Sequence, residues 1–442
     1  MNLEMHGSRW FSLVCVCLCL VSFETNAAET PRLGDLREVL QAHFNHDASR
    51  VIVRTRNEEF GIWDTKKGTP ISGGDASLKK PSQGYVMSAD GRKVLVGFKD
   101  GRARIFDPAS VEAISPALNL LLRESDNPQA VFSPDGGTLV FFGEKNASVL
   151  EAKTGRKITT MPVPFEVEEG SGSTASAIFT KDGAKCFVSD SGAHVTAYET
   201  KKWTALGKAM DHPPAEMAYQ FGFEVSHDGK WVVTFDDPGE NGPQGHLQVW
   251  DASTSKALGE PLSAQNGMAG RFLPGQERVL VQSGRGDASV RDLPAMAVAY
   301  EIKKHDEIDG PKVDIFPNGK WLLAWGHDKR IDLVDAVTGK VLSSYSSPVP
   351  IRRVTIPADS SACYLGVENS PMSSDHQYDN AVQRLSVPDL KVSGSLSIPD
   401  YLIREILSPD GRWLMILQGE DDEEKIAIFD AATMKPVEWP RE

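Results

Sequence analysis

Acidic side chains that could bind a cation are concentrated in three loops. In the first loop, Asp236 and Asp237 are followed by Glu240 and Asn241. Carboxylate and amide oxygens are the ligands that calcium prefers, but this spacing differs from the Asp-x-Asp-x-Asn/Asp-Gly pattern of a calcium loop. We therefore predict that Asp236, Asp237 and Glu240 belong to a binding surface and form no metal site.

The other two loops extend that surface. They contribute nine further predicted binding residues, which are Asp375, His376, Tyr378, Asp379, Glu420, Asp421, Asp422, Glu423 and Glu424. Such a surface suits a basic protein segment, a cationic ligand or a divalent metal. The alternative is that these acids only solvate exposed loops and aid solubility.

Histidine pairs and catalytic motifs give no stronger signal. His43 and His46 are close in sequence, and His305 precedes two acids. A zinc site requires three or four convergent ligands, and neither group supplies them alone. The sequence also contains no Gly-x-Ser-x-Gly elbow, phosphate loop or His-Glu-x-x-His motif. We predict no catalytic residue, no cofactor and no enzyme activity.

A repeated unit positions the three loops. Nine copies align on a turn, at spacings of 41 to 51 residues, which is typical of a propeller or a solenoid. The turn positions are Asp47, Asp90, Asp135, Asp182, Asp228, Gly275, Asn318, Asp359 and Asp410. The residue three before each turn is apolar, and so are the residues four to six after it, except Thr234. Such a run predicts a strand that is buried on both faces.

The strand that follows ends in an apolar residue and an acid, as in Trp63-Asp64 and Trp250-Asp251. Together with turns such as Phe132-Ser133-Pro134-Asp135-Gly136, these pairs resemble WD40-like repeats, in the broad sense that includes YVTN and quinoprotein-like propellers of secreted bacterial type. The resemblance covers about residues 37–440. It is specific for the fold and says little about function, because propellers host many unrelated activities.

The resemblance implies an all-β fold, a single β-propeller with four-stranded antiparallel blades around a central channel. We predict one closed ring of eight or nine blades. If the nine units form only eight blades, either one unit is distorted or the first and last units share a blade. In WD40-like blades, the turns between the second and third strands share one face with the connections between blades. The three acidic loops would therefore lie on one acidic, loop-rich face.

The first residues have the composition of a secretory signal. A weakly basic start is followed by an apolar run from Trp10 to Phe23 and by small residues up to Ala27. We predict a signal peptide at 1–27, a linker at 28–36, a propeller at 37–442, and a secreted or periplasmic protein. No other run is long enough to span a membrane. The formal net charge of -14 excludes nucleic acid as an expected partner.

Two cysteines remain outside the signal, Cys186 and Cys363. They occupy the same strand position in units four and eight, which are on nearly opposite sides of a ring, so we predict no disulfide and two buried free thiols. Trp231, Trp321 and Trp413 also share one unit position, and we predict that they pack between blades rather than form a ligand platform.

Three classes of function remain. The first is a secreted, non-enzymatic scaffold that binds an unidentified protein or small ligand as a monomer. The second is a propeller enzyme, a quinoprotein-like dehydrogenase or a lactonase-like hydrolase, with a metal or quinone at the channel mouth. The third is a carbohydrate- or envelope-binding module, for which Tyr378 is an aromatic candidate. We favour the first, because a WD40-like repeat without site motifs is its expected signature.

Overall fold

The structure is a computed structural model. It describes residues 39–55, 59–71, 78, 82–120, 129–143, 146–162, 176–190, 192–213, 220–237, 244–265, 267–284, 287–302, 312–326, 329–368, 380–398, 402–419 and 425–437. The regular elements in these ranges are 38 β-strands, which form nine antiparallel sheets. No helix in these ranges has the length and apolar character needed to cross a membrane. The predicted signal and linker lie outside the described residues.

Each sheet is one blade and is made from consecutive strands. Blades 1 to 3 contain β1 (Val39–Phe44), β2 (Arg50–Thr55), β3 (Phe60–Asp64), β4 (Ser82–Met87), β5 (Val94–Phe98), β6 (Arg102–Asp107), β7 (Glu112–Ala113), β8 (Leu118–Asn119), β9 (Ala130–Phe132), β10 (Thr138–Phe142), β11 (Asn146–Glu151) and β12 (Lys157–Pro162). Blades 4 to 6 contain β13 (Ala177–Phe179), β14 (Lys185–Ser189), β15 (His194–Glu199), β16 (Thr204–Ala205), β17 (Met210–Asp211), β18 (Gln220–Val225), β19 (Trp231–Asp237), β20 (Gly245–Asp251), β21 (Lys256–Ala257), β22 (Leu262–Ala264), β23 (Met268–Phe272), β24 (Arg278–Ser283), β25 (Ala288–Asp292) and β26 (Ala297–Ile302). Blades 7 to 9 contain β27 (Lys312–Ile315), β28 (Trp321–Trp325), β29 (Arg330–Asp335), β30 (Val341–Ser346), β31 (Ile351–Thr355), β32 (Ala362–Val367), β33 (Asn380–Ser386), β34 (Val392–Ile398), β35 (Leu402–Leu407), β36 (Trp413–Gln418), β37 (Lys425–Asp430) and β38 (Lys435–Pro436).

The blades differ mainly in their outermost strand. In blades 2, 4 and 5 it is divided into two short strands that both pair with the third strand. The described part of blade 1 has three strands, and a single bridge between Trp63 and Pro70 takes the fourth position. The predicted four-stranded blade is therefore confirmed, and blade 1 has the least regular fourth strand.

The second strand of each blade is its most deeply buried part. In all nine blades, the three residues that follow the turn at the predicted spacing are no more than 5% exposed. Each strand is flanked by a strand on both edges and by a neighbouring blade on both faces, which explains its uninterrupted apolar run. Thr234, the exception in the sequence, is also fully buried, at 0% exposed.

Nine apolar clusters hold the blades face to face, each drawn from two neighbouring blades. One of them unites the two ends of the chain, with Val51 and Val53 of blade 1 against Met415 and Leu417 of blade 9. Within the described ranges, neither terminal sheet contains a strand from the other end. The ring therefore has nine blades and closes by side-chain packing, and the alternative of a blade shared by the first and last units is wrong.

The repeated turns have a hydrogen-bonded structure. Five of them share a Ser or Thr hydroxyl that donates to the Asp two residues later at 2.6 Å. In the turn at Asp135, this bond from Ser133 lowers the pKa of the Asp135 carboxyl. The acid at the end of the third strand also acts locally, since the Asp335 carboxylate accepts hydrogen bonds from the backbone N–H groups of Val337 and Thr338. These sequence signatures are therefore structural.

Two faces of the ring follow from the strand order. The loop face carries the connections from second to third strands and from blade to blade. The turn face carries the Asp-Gly turns and the connections from third to fourth strands. Contacts between successive blades support the turn face, for example Lys93 Nζ donating to the Gly136 carbonyl at 2.7 Å and Gln276 Nε2 donating to the Gly319 carbonyl at 2.7 Å.

Candidate functional site

The three predicted acidic loops belong to the loop face. They join the second and third strands of blades 5, 8 and 9, so the ends of β19, β32 and β36 fix where they begin. Asp236 and Asp237 are within the described residues. The other predicted binding residues lie outside them, and these are Glu240, Asp375, His376, Tyr378, Asp379, Glu420, Asp421, Asp422, Glu423 and Glu424.

Asp236 lies inside blade 5 and not on its surface. Its side chain is fully buried, and Oδ1 accepts a hydrogen bond from the backbone N–H of His246. His212 Nε2 lies 3.7 Å from Oδ1, and His246 Nδ1 lies 3.8 Å from Oδ2. Burial raises the pKa of Asp236, but the two nearby imidazoles and the hydrogen bond from the His246 backbone outweigh it, so the pKa of the carboxyl is lowered.

A buried hydroxyl completes this network. Thr234 Oγ1 lies 2.8 Å from His212 Nδ1 and accepts a hydrogen bond from Trp250 Nε1 at 2.9 Å. A carboxylate, a histidine and a hydroxyl in series are the components of a catalytic triad. Here the side chains of His212 and Asp236 are only 2% and 0% exposed, and the indole of Trp250 occupies the far side of the hydroxyl. The network therefore ties the connection from blade 4 to strands β19 and β20.

Asp237 is the exposed member of the first acidic loop. Its carboxylate lies against Gly267, where an added Cβ would be 2.6 Å from Oδ1. Gly267 has a φ of +83°, which a glycine adopts without strain. The start of the loop is thus held against the chain that enters blade 6, and Asp237 faces the solvent on the loop face.

Metal-binding groups do not converge in the part of the chain that the structure describes. No set of three or more His, Cys, Asp or Glu side chains there could hold a metal ion. His43 contacts the Tyr85 hydroxyl at 2.8 Å, while His46 lies 4.0 Å from its neighbour Asp47. The predicted group at His305 lies outside the described residues.

The cysteines and the three aligned tryptophans lie where the repeat places them. Cys186 and Cys363 are free and buried, and burial raises the pKa of the Cys363 thiol to about 12. Trp231 belongs to the cluster between blades 5 and 6. Trp321 and Trp413 pack against the clusters between blades 7 and 8 and between blades 9 and 1. These tryptophans fill blade interfaces.

The innermost strands of the blades differ in chemistry at one equivalent position. Four residues before the turn, blades 2, 3 and 4 carry Val86, Val131 and Ile178. The same position in blades 1, 5, 6 and 7 carries a titratable residue, and these are His43, Glu224, Arg271 and Asp314. Sequence reasoning missed this contrast because it compared only the positions that all units share.

Neighbouring blades pair these charges. Arg271 Nη1 lies 3.6 Å from Asp314 Oδ1, and Trp325 Nε1 donates to Asp314 Oδ2 at 2.8 Å. Burial raises the pKa of Glu224, and the charge of Arg271 opposes that shift. Three successive blades, 5 to 7, thus carry charged residues at the same position of their inner strands.

Glu405 is an unusual residue of the inner strands. It is 5% exposed and lies five residues before the turn, where other blades carry Ala, Tyr, Phe, Gly or Val. Its carboxylate lies beside Gly366 of blade 8, and neither oxygen has a hydrogen-bond partner of good geometry among the described residues. Burial raises the pKa of Glu405 to about 7, against the opposing effects of Arg353, Thr355 and Arg404.

Comparison with known proteins shows the fold. No family model matches the sequence, and no curated protein matches it. A structure described as a eukaryotic initiation factor is similar with a TM-score of 0.63 at 13% identity, over 90% of this chain and 96% of that one. The C-terminal WD40 domain of Sif2 is similar with a TM-score of 0.51 at 12% identity, over 90% and 97% of the two chains.

A more distant likeness is to BamB from Moraxella catarrhalis, with a TM-score of 0.46 at 13% identity, over 74% of this chain and 93% of that one. At these identities a likeness shows the fold alone. The chain is a nine-bladed β-propeller of WD40-like architecture. Since the same fold hosts unrelated activities, its function has to be argued from its own surfaces.

Proposed function

We propose that this protein is a secreted, non-enzymatic binding propeller that holds a basic protein segment on its acidic loop face. The observation that carries the proposal is the exposure of acids on the loop face. Asp237 is exposed there, and the Asp211 side chain is 72% exposed although its Oδ1 lies 3.9 Å from His194 Nε2.

Local insertions support the same surface. Blades 5, 8 and 9 lengthen the connection between their second and third strands, and the run from Glu420 to Glu424 contains acids only. Scaffold positions are shared among the blades, whereas these loops are not, and binding residues are found disproportionately on such loops. A face with excess negative charge attracts a basic partner and raises its association rate.

The buried network in blade 5 supports a non-enzymatic role. It is the described group that is most similar to a set of catalytic residues, and its histidine and carboxylate are enclosed by Thr234 and Trp250. A substrate would have to displace the core of the blade to reach them. We therefore assign the network to stability.

Secretion is tested by fractionating cells that express the full chain and by determining the N-terminus of the exported protein. We expect a monomer that begins at Ala28 and is found outside the cytoplasm. A protein that keeps residues 1–27 and stays with the cytoplasm would contradict secretion and leave the binding proposal in place.

The loop face is tested with two triple variants that change the net charge equally. One replaces Glu420, Asp421 and Asp422 with lysine. The control replaces Glu112, Glu260 and Glu301, which are exposed and lie at or beside the outermost strands of blades 2, 5 and 6. The probe is a fluorescent oligolysine peptide, measured by polarisation at low and physiological ionic strength.

We expect the loop variant to bind the peptide at least tenfold more weakly than the control variant does. Equal weakening of both would show that only total charge matters, and it would overturn the proposal for this loop. The same comparison for a variant lacking residues 371–379 of blade 8 tests the second loop.

A further inference from the structure

One asparagine of the chain stands in an acceptor sequence for N-linked sugar. Asn146 is followed by Ala147 and Ser148, and no other of the twelve asparagines is followed two residues later by serine or threonine. Asn-x-Ser without a central proline is the sequence that is glycosylated in exported proteins. Such an acceptor has a meaning only in a chain that leaves the cytoplasm, so this inference rests on the secretion proposed above.

Asn146 begins the third strand of blade 3, at the loop face. It is the first residue of β11, and its carbonyl accepts a hydrogen bond from the Gly143 N–H at 3.0 Å. Its partner in the neighbouring strand is Pro162, the last residue of β12. The pairing of these two strands therefore stops at Asn146, which places this residue at the edge of the sheet.

The side chain of Asn146 retains exposed surface. Successive residues of a strand point to opposite faces, so Asn146, Ser148 and Leu150 form one row, while Ala147 and Val149 pack between blades 3 and 4. Along this row Leu150 is buried, and the two residues nearer the loop face are partly exposed. In the ranges that the structure describes, the Asn146 amide has no hydrogen-bond partner. A substituent on its nitrogen would therefore displace no described contact.

The serine of the acceptor sequence lies further inside the sheet. Ser148 pairs with Phe141 on one side and with Thr160 on the other. An enzyme that binds Asn-x-Ser in its own groove cannot hold this segment while both edges of β11 are paired. The sugar would therefore be added before blade 3 folds, while the chain is being exported.

We propose that Asn146 receives an N-linked glycan during export. The donor is an oligosaccharide joined by its first sugar carbon to a lipid pyrophosphate, and the catalyst is an oligosaccharyltransferase. Asn146 Nδ2 forms a bond to that carbon as the bond from the carbon to the pyrophosphate oxygen breaks. Nδ2 loses one proton, and the lipid pyrophosphate leaves. Blade 3 carries none of the three acidic loops, so the modification and the proposed binding surface belong to different blades.

The test produces residues 28–442 behind an established export signal, in cells that N-glycosylate exported proteins, and measures the intact mass of the purified chain. Replacing residues 1–27 separates this test from the native signal, whose failure would leave the result unchanged. We expect the mass of the polypeptide plus one glycan. Enzymatic release of the glycan should convert the asparagine at position 146 to aspartate.

Four variants locate the modification. Asn146→Gln and Ser148→Ala each remove a required group, so both should have the bare polypeptide mass. Ser148→Thr keeps the hydroxyl and should remain glycosylated. Asn318→Gln is the matched control, because Asn318 is an exposed asparagine outside any acceptor sequence, and this variant should also remain glycosylated. Since the sugar is added before folding, these outcomes do not depend on the stability of the variants.

The inference would be overturned by an exported native chain of bare mass from cells in which a reference protein is glycosylated. A glycan retained by Asn146→Gln would overturn it as well. The order of events is tested by treating the folded, unmodified protein with the enzyme and its lipid-linked donor. We expect no reaction, and glycosylation of the folded chain would contradict addition before folding.

Discussion

The Thr234 hydroxyl is the shared hydrogen-bond partner of two buried side chains. Trp250 Nε1 donates to it, and His212 Nδ1 lies within hydrogen-bond distance. Thr234→Val keeps the shape but leaves the indole N–H and the imidazole without this partner. An unsatisfied buried polar group costs about 1–3 kcal/mol, so we expect a loss of about 3 kcal/mol in the free energy of unfolding, measured in urea.

The control for this prediction is Thr160→Val, on the exposed outer strand of blade 3. A surface substitution of this kind changes stability by no more than about 0.5 kcal/mol. Equal effects of the two substitutions would show that the network in blade 5 contributes no special stability.

Glu405 makes stability depend on pH in a predictable direction. Its pKa is raised to about 7 in the folded protein, against about 4.5 when unfolded, so the folded state binds the proton more tightly. Stability from this group is fully present below about pH 4.5 and is lost as pH rises through about 7. The loss is on the order of 3 kcal/mol.

Glu405→Gln isolates this contribution. We expect the variant to gain stability relative to the native protein as pH rises from about 4.5 to 7, because the amide cannot ionise. The measurement is urea unfolding of both proteins at several pH values. Parallel curves for the two would mean that Glu405 has an ordinary pKa in the folded state.

These two residues differ in how far the sequence predicts them. Thr234 is visible as the one polar residue in a buried run, although nothing in the sequence shows that His212 and Trp250 meet it. Glu405 shares its chemistry with many exposed acids of the chain. Its burial follows from the register of β35 and from the space beside Gly366, which only the packed blades show.

At the scale of the elements, two glycines one position apart in equivalent turns separate the cost of backbone strain from the cost of packing. Gly275 and Gly319 have φ values of +70° and +67°. A Cβ at Gly275 would have no atom within 4 Å, whereas one at Gly319 would overlap the carbonyl oxygen of Pro274 in the preceding blade. We expect Gly275→Ala to cost about 1 kcal/mol from backbone strain alone.

Gly319→Ala should cost at least about 2 kcal/mol more than Gly275→Ala, because the turns of blades 6 and 7 would have to separate. Thermal unfolding of the two variants measures the difference. Identical melting temperatures would show that the turns yield without cost and do not support the ring.

The sequence predicts the inner three strands of each blade and their turns, because burial and turn chemistry leave strong patterns. It does not predict the outermost strands. Those strands are partly exposed and range from two to seven residues, so their composition is constrained weakly. The acid at the end of each third strand can be recognised in the sequence. The structure explains why it is repeated, because its carboxylate accepts hydrogen bonds from the backbone of the following turn.

At the scale of the whole molecule, one interface differs from the other eight. Blades 9 and 1 are joined by packing, whereas every other pair is also joined by the chain. Met415 and Leu323 occupy the same repeat position, and both are fully buried. Substitution of either by alanine should cost about 2–5 kcal/mol. Only Met415→Ala weakens the interface between the two ends of the chain.

Hydrogen exchange read by mass spectrometry checks this difference. We expect Met415→Ala to increase exchange selectively in blades 1 and 9, since local opening there breaks one interface and needs no movement of a connecting segment. Leu323→Ala should not produce a matching local increase in blades 7 and 8. Equal local increases in exchange would show that the interface between blades 9 and 1 is as stable as an interface whose blades are also joined by the chain.

The number of units could be counted in the sequence, yet the way the ring closes could not. Closure depends on whether the two ends exchange a strand, and β1 and β38 have no sequence feature that reveals it. The acidic loops were identified by composition, while the buried network of His212, Thr234 and Asp236 depends on residues that only folding brings together and was not predicted.

The closure by packing bears on how such a chain can change in length over evolution. Because every blade is one continuous stretch of chain, duplication or loss of a single unit leaves all remaining hydrogen-bonded sheets intact. In a ring closed by strand exchange, the first and last segments of the chain would also have to remain able to pair in one sheet. Here a change of one unit alters only the angle between neighbouring blades, from 40° in a nine-fold ring to 45° in an eight-fold one. Spacings of 41 to 51 residues between units are what duplication of whole units followed by their separate divergence predicts.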